Sequence, residues 1–171
     1  MDDRVLLRPY RAGDREGIKE LNRSALGEMG FRTGPWDDDL DSVEESYLAS
    51  GCFWVAESED GEIVGMVGVR GLEESRAELK RLRVRHDYRR RGIGSRLVDL
   101  CIQFCREKGY RRIVLDTATP SAPSFQAALS LYESKGFVLD GFRQMPPERV
   151  KQATHETNPW DGKVMIYHLD L

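Results

Sequence analysis

The tightest constraint on the fold is the run Leu82-Arg83-Val84-Arg85-His86-Asp87-Tyr88-Arg89-Arg90-Arg91-Gly92-Ile93-Gly94, which joins an extended stretch to a helical one. Paired glycines let the backbone approach a ligand closely. The first turn of the helix that follows presents amide N–H groups with no intrahelical partner, and these suit phosphate oxygens. Seven Lys or Arg residues between Lys80 and Arg91 place positive charge beside that cradle. Two familiar phosphate patterns do not fit. The last glycine of GxGxxG is missing after Gly94 and GxxxxGK is absent, which argues against a nicotinamide enzyme and a nucleotide triphosphatase.

The flanking segments fix what surrounds this turn. Val5–Arg8 is a short strand, and Asp14 caps a helix to about Ala25 with Ile18, Leu21 and Ala25 on one face. Gly27–Asp41 is an irregular loop, followed by a short helix near Val43–Ala49. Cys52–Ala56 and Glu62–Arg70 flank Glu59-Asp60-Gly61 as a hairpin, and a third strand covers Glu78–Arg85. Gly92–Lys108 has Ile93, Leu97, Leu100, Cys101 and Phe104 at helical spacing, with Gly109 as its stop. Arg112–Asp116 is a buried strand. A loop through Pro120 then leads to a helix over Ser124–Lys135, which Gly136 ends. Phe137–Phe142 and Lys163–Leu169 are strands separated by a long polar excursion from Pro146 through Trp160. The order is mixed α/β (α+β), and 171 residues read as one domain, 1–171.

Charge and cysteine usage narrow the partners. With 29 acidic and 26 basic side chains the net charge is −3, so the whole-molecule field favours neither nucleic acid nor an anionic membrane. No segment has the apolar length of a signal or membrane span, and the expected location is cytoplasmic. Cys52, Cys101 and Cys105 lack CxxC spacing, while His86, His155 and His168 are scattered, so no metal site is expected. Cys101 and Cys105 instead suit helix packing.

Arg89-Arg90-Arg91-Gly92-Ile93-Gly94 resembles the cofactor motif of the Gcn5-related N-acetyltransferase (GNAT) superfamily. Downstream, Ala128-Leu129-Ser130-Leu131-Tyr132-Glu133-Ser134-Lys135-Gly136-Phe137 resembles its second cofactor-side helix, and the likeness covers nearly the whole chain. It implies a GNAT fold, with a mostly antiparallel twisted sheet, parallel strands splayed at an acetyl-CoA site, and flanking helices. Leu82 and Val84 would pair with the pantetheine arm. Amides from Arg90, Arg91, Gly92, Ile93, Gly94 and Ser95 would hold the pyrophosphate, and Arg89 or Arg90 would reach a nucleotide phosphate. Tyr132 fits the tyrosine that hydrogen-bonds or protonates the departing sulfur. Glu78 fits a general base, with substrate orientation and a structural ion pair as competing roles.

The implied activity is acetyl transfer from acetyl-CoA to a primary amine of a small molecule or peptide by direct attack. The alternative is a nonenzymatic acetyl-CoA-binding regulatory module. Phe125 stands where many members have an asparagine beside the cofactor, so that contact is not carried over. Arg32 and Trp36 are expected to meet the acceptor, Arg32 through a carboxylate and Trp36 as a wall, with His155 and Trp160 nearby. Asp37–Asp39 and Asp41 read either as a lure for a cationic acceptor or as the polar start of a helix. Homodimerisation stays open.

Overall fold

The computed structural model describes residues 4–119 and 123–171; the Pro120 turn and the side chain of Phe125 lie outside them. Seven strands form one sheet in the order β1-β2-β3-β4-β5-β7-β6. They are β1 (Leu6–Pro9), β2 (Cys52–Glu57), β3 (Ile63–Glu73), β4 (Arg76–Val84), β5 (Arg112–Ala118), β6 (Val138–Gln144) and β7 (Lys163–Asp170). The helices are α1 (Arg15–Glu28), α2 (Ile93–Lys108), α3 (Pro123–Ser134) and α4 (Pro147–Ala153). Every strand pairing is antiparallel except that of β4 with β5.

The sheet is covered on both faces at β3, which is why that strand is buried without interruption from Val64 to Val69. On one face, Ile93, Leu97, Val98 and Cys101 of α2 join Val67, Val69, Leu79, Ile113 and Leu115 in one core. On the other, Ile18 and Leu21 of α1 and Tyr47 pack with Phe53, Val55 and Met66. Gly68 is needed for this second core, because a Cβ there would stand 2.7 Å from the Tyr47 ring. The three cysteines are buried and free, Cys101 and Cys105 within the α2 core as the helical spacing predicts.

Two irregularities in β4 set up the site. β4 pairs with β5 only at Arg76–Glu78 against Arg112–Val114; beyond these rungs the two strands run on without pairing, and β5 is paired along its length with β7 instead. The register with β3 also slips. Met66 faces Arg83 and Gly68 faces Lys80, so β4 holds one extra residue, and Arg81 adopts φ +63° there. This is a β-bulge, which bends the strand and changes which face its side chains meet.

The sequence places most elements within a few residues. The exceptions have local causes. β4 starts at Arg76 because the β3–β4 hairpin extends beyond the glycine break, and α4 occupies part of the late excursion. Its Pro147 sits in the first turn, where a missing N–H is not felt. Pro35–Leu40 forms a 3-10 turn inside the expected irregular loop, and Glu44–Leu48 a single π-helical turn.

Candidate active site at the parting of β4 and β5

The turn read as a phosphate cradle is built by backbone conformation. Arg90 and Gly92 have φ of +62° and +77°, so the chain turns sharply into α2, and the amides at the helix start face away from any intrahelical acceptor. Gly92 tolerates this conformation without steric cost. A Cβ on Gly94 would lie 3.4 Å from Leu131 and 3.6 Å from Val84, so α2 begins where β4, α3 and the open edge meet.

Arginine side chains near the cradle are mostly committed elsewhere. Arg89 donates from Nε to the Val84 carbonyl at 2.9 Å and pairs with Glu28 at 2.8 Å, while Arg85 holds Asp87 and Glu62. Arg85 and Arg91 each stack 4.9 Å from the centre of the Tyr88 ring, and Arg91 donates to the Asp87 carbonyl. In this structure the Arg89 side chain fixes the loop. Arg90 is exposed.

The open edge of β4 faces β5. Arg85 N–H donates to Val64 on β3 at 2.8 Å, so alternation turns the backbone groups of Val84 toward the gap. The carbonyls of Leu82 and Val84 there are reached by Arg83 Nη1 at 3.0 Å and by Arg89. Tyr132 of α3 belongs to the α2-side core, edge-on to Phe137 with ring centres 5.8 Å apart. Burial pushes its pKa up to about 12, so the phenol stays protonated.

Glu78 lies on β4 before the bulge. Arg70 of β3 holds its Oε2 at 2.8 Å, and Oε1 accepts no hydrogen bond from the described residues. The ion pair weighed as a structural role for Glu78 is thus present, formed with Arg70. Lys80, two residues on, has neither an ion pair nor a hydrogen bond among the described residues, and burial lowers its pKa.

Two acids of the run, Asp37 and Asp39, are spent internally. Arg81, raised on the bulge, binds Asp37 at 2.7 Å, both oxygens of Asp39 and the Trp36 carbonyl, while Tyr47 donates to Asp39. Asp41 pairs with Lys19. Asp37 and Asp39 therefore anchor the 35–40 turn to β4, a use that neither expectation for this cluster included. Arg81, Arg83 and Arg70 carry no role in the sequence reading. The available signal was Lys80-Arg81, two successive basic residues where strand alternation calls for one.

Arg32 and Trp36 sit where the segment after α1 is stitched to the β6–β7 excursion. Arg32 is exposed, donates from Nε to the Thr154 carbonyl at 3.2 Å, and bonds Ala153 through its backbone; Trp36 lies under Arg149 at 4.0 Å. Asn158 donates to the carbonyls of Met29 and Gly30, and Trp160 stacks edge-on to Phe31. Both candidates thus serve a loop-to-loop seam. A hollow of ≈ 560 Å³ between α1 and the 33–41 segment contains none of the open-edge residues. No cluster of three or more metal-ligating side chains occurs among the described residues, and no helix is long and apolar enough to cross a membrane.

A family model described as the acetyltransferase (GNAT) family matches residues 17–137. Human N-acetyltransferase 8 is 39% identical over 110 residues, covering 60% of this chain and 46% of that protein. The probable N-acetyltransferase camello of Xenopus laevis is 36% identical over 146 residues, covering 83% of this chain and 61% of its own. The chain thus spans about half to three-fifths of these relatives' lengths. Among solved structures, a GNAT-family acetyltransferase from Staphylococcus aureus superposes with a TM-score of 0.75 at 26% identity, covering 98% of this chain and 99% of that one. A putative acetyltransferase from Salmonella typhimurium, solved with its cofactor acetyl-CoA, shares the fold with a TM-score of 0.74 at 21% identity, covering 98% and 94%.

Proposed function

The chain belongs to the acetyltransferase (GNAT) family, and from that premise we propose that it transfers the acetyl group of acetyl-CoA to a primary amine of a small molecule or peptide by direct attack. One observation carries this reading: β4 and β5 stop pairing after Glu78 and Val114, and the phosphate cradle and Tyr132 flank the edge so exposed. The residues fit the cosubstrate, since an extended amide-bearing arm pairs with a free strand edge and a pyrophosphate with helix N-terminal amides.

Bound acetyl-CoA supplies the activated thioester. Amides from Arg90 to Ser95 hold the pyrophosphate, Leu82 and Val84 align the arm, and the Val84 N–H polarises the thioester carbonyl. Glu78 Oε1, opposite the carboxylate oxygen fixed by Arg70, takes the proton of the attacking amine directly or through water. As the new N–C bond forms and the C–S bond breaks, Tyr132 donates to the departing sulfur. With its pKa pushed up to about 12 against ~8.5 for a thiol, a hydrogen bond is favoured over complete proton transfer. Cys101 and Cys105 suit no covalent intermediate, because burial raises their pKa away from the reactive thiolate.

The test is acetyl-CoA-dependent product formation, read by mass spectrometry across amines, amino acids, polyamines and short peptides with hydrolysis controls. Acetylated product is the expected result. Binding of CoA with no product across the panel would favour a nonenzymatic acetyl-CoA-binding module, and absence of both would overturn the cosubstrate assignment.

A further inference from the structure

Charge is balanced at most of the polar positions that β4 presents around the bulge, and unbalanced at two. Arg70 is matched by Glu78, and Arg81 by Asp37 and Asp39. Arg83 and Lys80 have no carboxylate partner among the described residues. Leu82 and Val84 pack against the α2 core, so alternation turns Arg83 toward the opposite face, that of Glu78, Lys80 and the Arg81 anchor. Among the described residues Arg83 bonds only through Nη1, to the Leu82 carbonyl, while its Nε is enclosed with no hydrogen-bond partner.

A half-buried guanidinium without an anion is costly, and an anionic ligand at its accessible end lowers that cost. Nε is closed to any ligand atom, so the group left to meet a ligand oxygen is Nη2, which makes no hydrogen bond among the described residues and offers a carboxylate one charge-assisted hydrogen bond. Burial lowers the pKa of both Arg83 and Lys80, and the carboxylates of Glu78 and Asp39 offset only part of this for Lys80.

We propose that the acceptor is an amine that also bears a carboxylate, and that Arg83, assisted by Lys80, is the specificity-determining residue that binds it. The inference rests on the acetyltransferase reading above. It assigns to Arg83 the carboxylate recognition that the sequence suggested for Arg32, whose head group bonds the Thr154 carbonyl at the surface seam.

The experiment compares matched trios with the full chain and acetyl-CoA: phenylalanine, phenylalaninamide and phenethylamine, with the corresponding leucine and methionine sets. The expected kcat/KM for the carboxylate member exceeds that of its amide by at least about thirtyfold, as for loss of a charge-assisted hydrogen bond. Arg83→Met shrinks that ratio to about threefold or less, and Arg83→Lys restores part of it. Lys80→Met, which leaves the β4 edge intact, lowers the ratio by a smaller factor. Circular dichroism and acetyl-CoA affinity, measured on each variant, separate recognition from folding. Equal rates across each trio, or an Arg83→Met variant that slows all members alike while weakening acetyl-CoA binding, would overturn the proposal and leave acetyl transfer standing. Acetyl-CoA binding with no acetylation of any trio member would also overturn it, and failure of acetyl-CoA binding would remove the premise as well.

Discussion

Tyr132 shows how one residue's surroundings decide its chemistry. A phenol in water has a pKa near 10, and burial raises this one to about 12. Tyr132→Phe should lower kcat by about a hundredfold, with acetyl-CoA affinity held within about twofold; steady-state kinetics with a binding titration checks this, and an undiminished kcat under chemistry-limited conditions would remove the tyrosine from the mechanism. The same shift bears on stability. The folded state keeps this proton more tightly than the unfolded one, so the contribution is complete below pH ~10 and is lost as pH rises through ~12. Wild-type protein should therefore lose stability relative to Tyr132→Phe in urea melts from pH 9 to 12. Glu78→Gln removes a proton acceptor and keeps a partner for Arg70. Its expected signature is a loss of kcat that shrinks as alkaline pH deprotonates the amine, whereas a purely structural Glu78 would leave the pH profile in place.

Elements are held in place by a few buried polar contacts. The β4 bulge lifts Arg81 to meet Asp37 and Asp39, and the side chains of these three residues are only 9–11% exposed. Arg81→Met leaves two enclosed carboxylates facing each other and should destabilise the fold by about 3–5 kcal/mol, measured as a shift of the denaturant midpoint. Adding Asp37→Asn and Asp39→Asn should recover part of the loss. Burial by itself would raise the Asp39 pKa, but the hydrogen bond and charge of Arg81 outweigh it and the net shift is downward. The stability this gives is present above pH ~4 and fades as pH falls through the depressed folded value. Asn158 stitches the other side of the site. Asn158→Ala takes the side-chain donor from the Met29 carbonyl and leaves the Gly30 carbonyl with the His155 N–H alone, and the expected result is a severalfold higher KM for the acceptor with acetyl-CoA affinity retained.

For the whole molecule, the parted strands make the sheet incomplete at one place. A ligand that pairs with β4 closes it and binds only the folded chain. Acetyl-CoA at a hundred times its Kd should add about 2.7 kcal/mol, a rise in Tm of about 5–10 °C at this size. Hydrogen exchange should show the new protection at Leu82–Val84 and Ile93–Ser95. Protection elsewhere with none at these amides would place the cosubstrate outside the parting.

Local physics made much of this legible from the chain. Gly92, Gly109 and Gly136 have positive φ where the sequence expects helix boundaries, the Asp60-Gly61 turn joins β2 to β3, and apolar spacing identifies the buried faces of α1 and α2. The glycine turn and Tyr132 were found because their signals lie within a few residues of one another. Contacts distant in sequence were not legible: Arg81 with Asp39 spans 42 residues and Asn158 with Gly30 spans 128. A charged side chain reads as surface until packing shows what it faces, so only the tertiary structure separated the anchoring Arg81 and loop-fixing Arg89 from Arg83. The sequence determined which elements form and where the backbone turns toward a phosphate. Tertiary packing decided where β4 leaves β5 and which charges lack a partner, because both depend on strands and loops meeting across the sheet.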